Sequence, residues 1–300
     1  MYAKRVSEKI YLLDTYALGI PGTVGAYLLK GPKPALVDCG YASSYDAVLK
    51  GLAEVGVMPS DVRYIIPTHV HLDHAGAAGR LLKEMPNAEV LAHERGVPHL
   101  VDPTKLVESS TRVFGESIMA LYGLPEPIAA ERVTGVGAEA HLDLGDGLTV
   151  TLMHTPGHAP HQISVLVDGA RSLLTADAVG IVYPDLKALI PTTPPPSFDP
   201  SQLVATIATL RQTSPGELLL PHFAARKDVD WVFDRTAELV ESWVRQVSRM
   251  RKQNVGLDQA AESMEKTVAA DAEVEDLPVY ARVSVRTSVM GILHYLEKND

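Results

Sequence analysis

Short apolar runs of strand length alternate along most of the chain with stretches whose apolar residues recur every three or four positions. Residues 6–13 (VSEKIYLL) and 24–29 (VGAYLL) predict two strands parted by a turn at Pro21-Gly22. Residues 35–40 (ALVDCG) predict a short buried strand entered through the turn at 31–34. Val48, Leu49, Leu52 and Val55 fall at helical spacing, predicting a helix over 43–56 capped by Ser43 or Ser44. A β-type run at 62–67 (VRYIIP), a helix over 75–85 and a strand ending near His93 follow.

Residues 97–140 lose the alternation. A helix within 107–123 and a turn at 124–128 predict a helical insertion, a length of irregular chain that is often functional. Its Phe114, Met119 and Tyr122 either shape substrate choice or pack the insertion onto the scaffold. Alternation returns in a strand over 148–154 after the turn at Asp146-Gly147, and in a hairpin over 163–177 that reverses at Asp168-Gly169. A proline-stiffened loop spans 181–200, with Tyr183 and Phe198 as candidates for a pocket wall. Asp199-Pro200, a cap with proline at the first helical position, opens a helix to about Thr213, and the strand 217–221 ends at His222. A long helix over 229–252 and two more, divided at 276–278, complete the chain. This pattern divides it into a main domain over 1–250 and a helical extension over 251–300, which either covers the site or forms a dimer face.

Composition narrows the classes of function. A chain of 300 residues can bury a sizeable core, and 46% hydrophobic with 21% charged residues describes a soluble globular protein. A net charge of -10 and the absence of basic runs argue against a nucleic-acid partner, because phosphate binding rests on clustered Lys and Arg. The single cysteine, Cys39, excludes an intramolecular disulfide. With no apolar run of membrane-span length and no leader pattern, the expectation is a cytoplasmic protein without a membrane partner.

The chemistry concentrates at residues 68–74, T-H-V-H-L-D-H, where a strand ends. A lone histidine is uninformative, but three imidazoles and a carboxylate within six positions are a ligand set for zinc, iron or manganese. His69 and His71, two apart in extended chain, share a side, and Asp73 and His74 turn toward a neighbouring point. Further along, the strand end at His154 and the following T-P-G-H-A-P-H-Q offer His154, His158 and His161 as competing candidates. His93 and His99 lie outside ligand spacing and read as surface or core residues.

H-x-H-x-D-H after a strand resembles the signature of the metallo-β-lactamase superfamily. That resemblance implies an α/β fold, the αββα sandwich. It selects His158, which closes T-P-G-H, and implies His69, His71 and His158 for one metal, Asp73, His74 and His222 for a second, with Asp177 bridging them. His154 is then structural, and His161 lines the pocket, supports a ligand, or does neither. Asp38 either holds a ligand histidine in one tautomer or is a turn carboxylate. Two divalent ions, zinc foremost with iron or manganese as alternatives, share a water whose pKa falls from near 16 to about 7. Asp73 orients that hydroxide and accepts its proton.

The resemblance implies a hydrolase of a small ester, lactone or thioester, closest to the glyoxalase II and lactonase branches. The alternatives are a phosphodiesterase on the same centre or a mononuclear iron dioxygenase. A histidine at 71, where flavodiiron proteins use glutamate, argues against that group, and Asp177 with His74 argues against β-lactamases. The chain lacks the Gly-Cys-Gly stretch of glutathione-thioester enzymes after Asp177. The partner is a small molecule, homo-oligomers remain open, and no residue is identified as substrate-binding.

Overall fold

The computed structural model describes residues 1–299 and, of Ala224, the backbone alone. Among these residues thirteen strands form two sheets. The first holds β1 (Ala3–Arg5), β2 (Ile10–Asp14), β3 (Gly25–Leu29), β4 (Ala35–Val37), β5 (Tyr64–Ile66), β6 (Glu89–His93) and β7 (Val133–Val136), in that order. The second holds β8 (Glu139–Asp143), β9 (Thr149–His154), β10 (Ile163–Val167), β11 (Ser172–Leu174), β12 (Glu217–Leu220) and β13 (Ala224–Arg226).

Among the described residues ten α-helices flank the sheets: α1 (Tyr45–Val55), α2 (Leu72–Ala75), α3 (Ala78–Glu84), α4 (Val97–Val101), α5 (Thr104–Phe114), α6 (Glu116–Tyr122), α7 (Pro200–Gln212), α8 (Val229–Lys252), α9 (Leu257–Ala272) and α10 (Val279–Lys298). Where neighbouring strands run parallel, as from β4 through β7 and between β11 and β12, helical crossovers join them; where they run antiparallel, turns suffice.

The period-two pattern of the strands builds the layers. Leu12, Tyr27, Leu29, Val37 and Ile66 face Val150, Leu152, Val165, Leu174 and Leu219 across the gap between the sheets. The alternate residues Leu13, Leu28, Leu36 and Ile65 pack under α1 and α3 with Leu52 and Leu81. On the far side Leu173, Leu218 and Leu220 meet the helices after Pro200, and Phe233, Trp243, Met264 and Val285 share one cluster with them. Helix, sheet, sheet, helix is therefore the order of layers, the expected αββα sandwich, with C-terminal helices over the second sheet.

Local differences from the pattern have physical reasons. Residues 6–13 do not form one strand: Val6 and Ser7 N–H both bond the Ile10 carbonyl, reversing the chain between β1 and β2. Ser44 precedes α1 without a side-chain cap bond, because the first turn is 3-10. The helix expected over 75–85 is two, α2 and α3. The insertion at 97–140 also contains β7 and the start of β8, whose weakly apolar sequences follow from their edge positions. Tyr183 and Phe198 are core residues: Tyr183 hydrogen-bonds Ser284 of α10, and Phe198 sits beside Tyr295.

Candidate metal centre

The strands deliver their last residues to one edge of the sandwich. Asp38 follows β4, Thr68 and His69 follow β5, Asp177 follows β11 and His222 follows β12. Three of these ends carry a non-glycine residue in the left-handed region, Asp38 (φ 58), Ala176 (φ 49) and Phe223 (φ 72). Such backbone is costly away from glycine and persists where surrounding structure enforces it, here turning the chain beside each ligand-type side chain. In T-P-G-H, Gly157 has φ +133 and its Cα abuts the backbone of Leu203 in α7, leaving no room for a Cβ. Thr206 of α7 donates to the Pro156 carbonyl at 2.6 Å, so the turn that aims His158 is clamped onto that helix.

All seven side chains singled out in the sequence converge. His71 Nδ1 lies 2.9 Å from His69 Nε2 and 3.0 Å from His158 Nε2. These separations approach the edge of about 3.3 Å for tetrahedral ligands held about 2.0–2.1 Å from zinc. His74 Nε2 is 3.6 Å from Asp73 Oδ2, and His222 Nε2 is 3.9 Å from the same oxygen. Asp177 lies between the groups: Oδ2 is 3.5 Å from His158 Nε2, while Oδ1 is 3.6 Å from His74 Nε2 and 3.5 Å from His222 Nε2.

Three of the rings are held by their other nitrogen. His158 Nδ1 donates to the Thr192 carbonyl at 3.1 Å and His222 Nδ1 to the Thr23 carbonyl at 3.3 Å, turning both Nε2 lone pairs inward. His74 Nδ1 meets Asp38 Oδ2 at 2.9 Å, and Asp38 Oδ1 accepts from Thr68 N and Oγ1 at 2.7 and 2.8 Å. Of the two readings of Asp38, the geometry selects the orienting one. Gln162 ties the site together, accepting from Asp177 N and donating to the Thr155 carbonyl. Thr23, Thr192 and Gln162 carry no ligand-type signal; two act through carbonyls, which every residue possesses.

The arrangement can hold a cation. His74 Nε2 and Asp177 Oδ1 are buried and without hydrogen-bond partners, although an unpartnered buried polar atom costs about 1–3 kcal/mol. Burial and neighbouring imidazoles hold His69, His71 and His158 below the ordinary imidazole value, keeping them neutral and able to ligate. Burial opposes charge on His74 too, but Asp38, Asp73 and Asp177 outweigh it and push that ring up to about 10. Burial likewise opposes ionisation of Asp177, yet His222, His74 and His158 hold its carboxyl well below the usual range. The donor set of nitrogens and carboxylate oxygens suits zinc, iron or manganese.

Four of the other histidines, His93, His99, His154 and His161, contact one another or the ligand-type rings. His93 stacks on His154 with ring centroids 3.9 Å apart, and His154 Nε2 donates to the Pro160 carbonyl, a structural pairing. His161 is buried, its ring 6.3 Å from His69 and 6.2 Å from both His71 and His99. Cys39 is buried beneath, donating to the His74 carbonyl at 3.1 Å, and burial pushes its thiol up.

The comparisons agree with this geometry. Residues 19–253 match the model of the metallo-β-lactamase superfamily. The metallo-β-lactamase fold-containing protein ST1585 of Sulfurisphaera tokodaii is 32% identical over 179 residues, 58% of this chain and 63% of that protein. The N-acyl homoserine lactonase AttM of Agrobacterium fabrum is 33% identical over 127 residues, 41% of this chain and 44% of that protein. The chain thus spans under two thirds of the length of these relatives. Among solved structures, the metallo-β-lactamase family protein TTHA1429 of Thermus thermophilus superposes with a TM-score of 0.71 at 21% identity, over 98% of this chain and 95% of that one. Two packed sheets, their converging histidines and carboxylates, and a family match across most of the sequence lead to one statement: the chain belongs to the metallo-β-lactamase superfamily.

Proposed function

We propose that the protein is a dinuclear metallohydrolase of a small ester, lactone or thioester. His69, His71 and His158 would hold one ion and Asp73, His74 and His222 the other, with Asp177 available to both. The observation that carries this reading is the division of Asp177: one oxygen faces His158, the other faces His74 and His222. When bound, two divalent ions, zinc foremost, supply Lewis acidity toward a carbonyl oxygen and a solvent nucleophile at neutral pH.

The chain's own residues supply the rest. Asp73, 22% exposed at its side chain against 6% for Asp177, is the carboxylate of the set most open to solvent and the one that orients attacking water and takes its proton. Asp38, Thr192 and Thr23 hold three imidazoles in the ligating tautomer. The buried Cys39 is no nucleophile. The lactonase named among the relatives supports a carbonyl substrate. Cytoplasmic location and a lactonase-like rather than glyoxalase II-like substrate complete the reading.

The test uses protein made without added metal. Metal content and turnover of a lactone, a thioester and bis-p-nitrophenyl phosphate are measured on one batch. Near two equivalents of zinc or manganese with turnover of a carbonyl substrate is the expected result. One equivalent of iron with substrate-dependent oxygen uptake would sink it, and turnover of the phosphodiester alone would move the substrate class. Asp177→Asn is expected to drop the second ion and suppress turnover while circular dichroism stays unchanged.

A further inference from the structure

Between Asp177 and α7 the chain forms neither strand nor helix over 182–199, apart from a bridge that pairs Ile190 with Ile181. Residues 188–193 of this segment are nevertheless buried, so their peptide groups need partners outside regular structure. One stripe of α10 supplies them. Tyr280, Ser284, Ser288 and Gly291 recur three or four positions apart, which places them on one face of the helix. Tyr280 donates to Asp185, the Tyr183 and Ser284 hydroxyls meet at 2.9 Å, and Gly291 lies against the Thr193 carbonyl and Pro194.

Ser288, buried in the middle of the stripe, makes the tightest grip. Its Oγ donates to the Pro191 carbonyl at 2.7 Å and accepts from Thr193 N at 3.4 Å, while its own carbonyl accepts from Thr193 Oγ1 at 3.0 Å. The clasp thus closes on both chain neighbours of Thr192. That residue reaches two of the ligand-type side chains. Its carbonyl takes the His158 Nδ1 proton at 3.1 Å, and its hydroxyl donates to the Asp177 carbonyl at 2.9 Å. A hydrogen bond weakens steeply once distance or angle is lost, so a Thr192 free to shift would no longer hold the His158 ring in one orientation.

We propose that Ser288 is a positioning residue for the metal centre: from the C-terminal helix it fixes Thr192, and through Thr192 it sets the His158 ring and the Asp177 backbone. The inference rests on the metal-centre reading above and gives α10 a part in orienting the ligands.

Two substitutions open the clasp from opposite sides, Ser288→Ala from the helix and Thr193→Val from the loop, and neither residue is a ligand. Thr193→Ser keeps the hydroxyl. Zinc affinity of each folded, metal-free protein is measured by competition with a chromophoric chelator, and urea midpoints are taken on the same metal-free samples. Partners that orient a ligand histidine typically carry 10–100-fold in affinity, and Ser288 acts one residue removed. Binding about tenfold weaker is therefore expected in Ser288→Ala and in Thr193→Val, with Thr193→Ser near wild type. The double variant is expected to bind no more weakly than Ser288→Ala, since both changes break one clasp. Cobalt-loaded Ser288→Ala is expected to show a shifted visible spectrum.

A packing role alone would lower the urea midpoints and leave affinity and spectrum as in wild type, and that result overturns the proposal. Should Ser288→Ala not fold, Thr193→Val and Thr193→Ser decide it by the same readings. Wild-type protein that binds a single ion sinks the dinuclear reading, whereas a tenfold loss in the variants still supports the clasp, because His158 belongs to one triad. Two ions bound with equal affinity in all variants overturns the clasp and leaves the hydrolase reading standing. Wild-type protein that binds no zinc, iron or manganese overturns both.

Discussion

Asp38 Oδ2 lies 2.9 Å from Nδ1 of His74, leaving Nε2 of that ring buried and without a partner. The carboxylate is acceptor-only when ionised, so it demands the proton on Nδ1 and frees the Nε2 lone pair. Asp38→Asn keeps the size and tolerates φ 58, but its amide can turn an N–H toward Nδ1 and favour the opposite tautomer. Metal affinity at the His74 position is expected to fall about 10–100-fold. Equilibrium dialysis against zinc checks this, and unchanged affinity would remove Asp38 from the site.

Chelation tests the same orphaned atoms from the side of stability. A cation that binds only the folded chain adds RT ln(1 + [L]/Kd), about 2.7 kcal/mol at a hundredfold excess over Kd. Dialysis against a chelator is therefore expected to lower the thermal midpoint, and zinc to restore it in proportion to the logarithm of its concentration. A midpoint indifferent to metal would contradict a buried cation site.

Gly291 links the last helix to the centre. A Cβ there would overlap the Thr193 carbonyl oxygen, next to Thr192, whose carbonyl fixes His158. Ser288 of the same helix bonds the Pro191 carbonyl at 2.7 Å and its own carbonyl accepts from Thr193 Oγ1 at 3.0 Å. Gly291→Ala is expected to displace the 191–195 segment, costing about 1–3 kcal/mol as overpacking does, and to reduce turnover. Urea unfolding and kcat measured together check it. Wild-type values for both would show that the helix does not brace the loop.

Asp199 offers a control away from the centre. Its Oδ1 accepts from Ser201 N at 2.9 Å and Gln202 N at 3.0 Å, capping α7. Asp199→Ala is expected to lose about 1 kcal/mol at pH 7 with metal content unchanged. Partial burial opposes the ionised form, but the bonds from Ser201 and Gln202 prevail and hold the carboxyl below its ordinary value. The folded state thus favours the carboxylate: its contribution is present above the unfolded value and fades as pH falls through the folded one. Urea midpoints of the two proteins should converge in that acid range, and a difference that grows on acidification would refute the assignment.

Ligand types, strand periods and turn residues are local properties, and the sequence by itself determined them. T-H-V-H-L-D-H had to sit at a strand end, T-P-G-H had to turn, and alternation in 24–29, 148–154 and 163–177 had to present one face to a core. Where burial was slight the signal failed, as at β7 and β8 on the sheet edges, and an apolar run alone did not reveal the reversal between β1 and β2. Only the tertiary structure decided that Asp38 serves His74, that Tyr183 belongs to the packing of α10, and that carbonyls of Thr23 and Thr192 set two imidazole tautomers. The reason is physical. A peptide carbonyl is the same in every residue, and a carboxylate gains a role from what stands within about 3 Å of it, which is fixed when two sheets bring positions far apart in the chain to one edge.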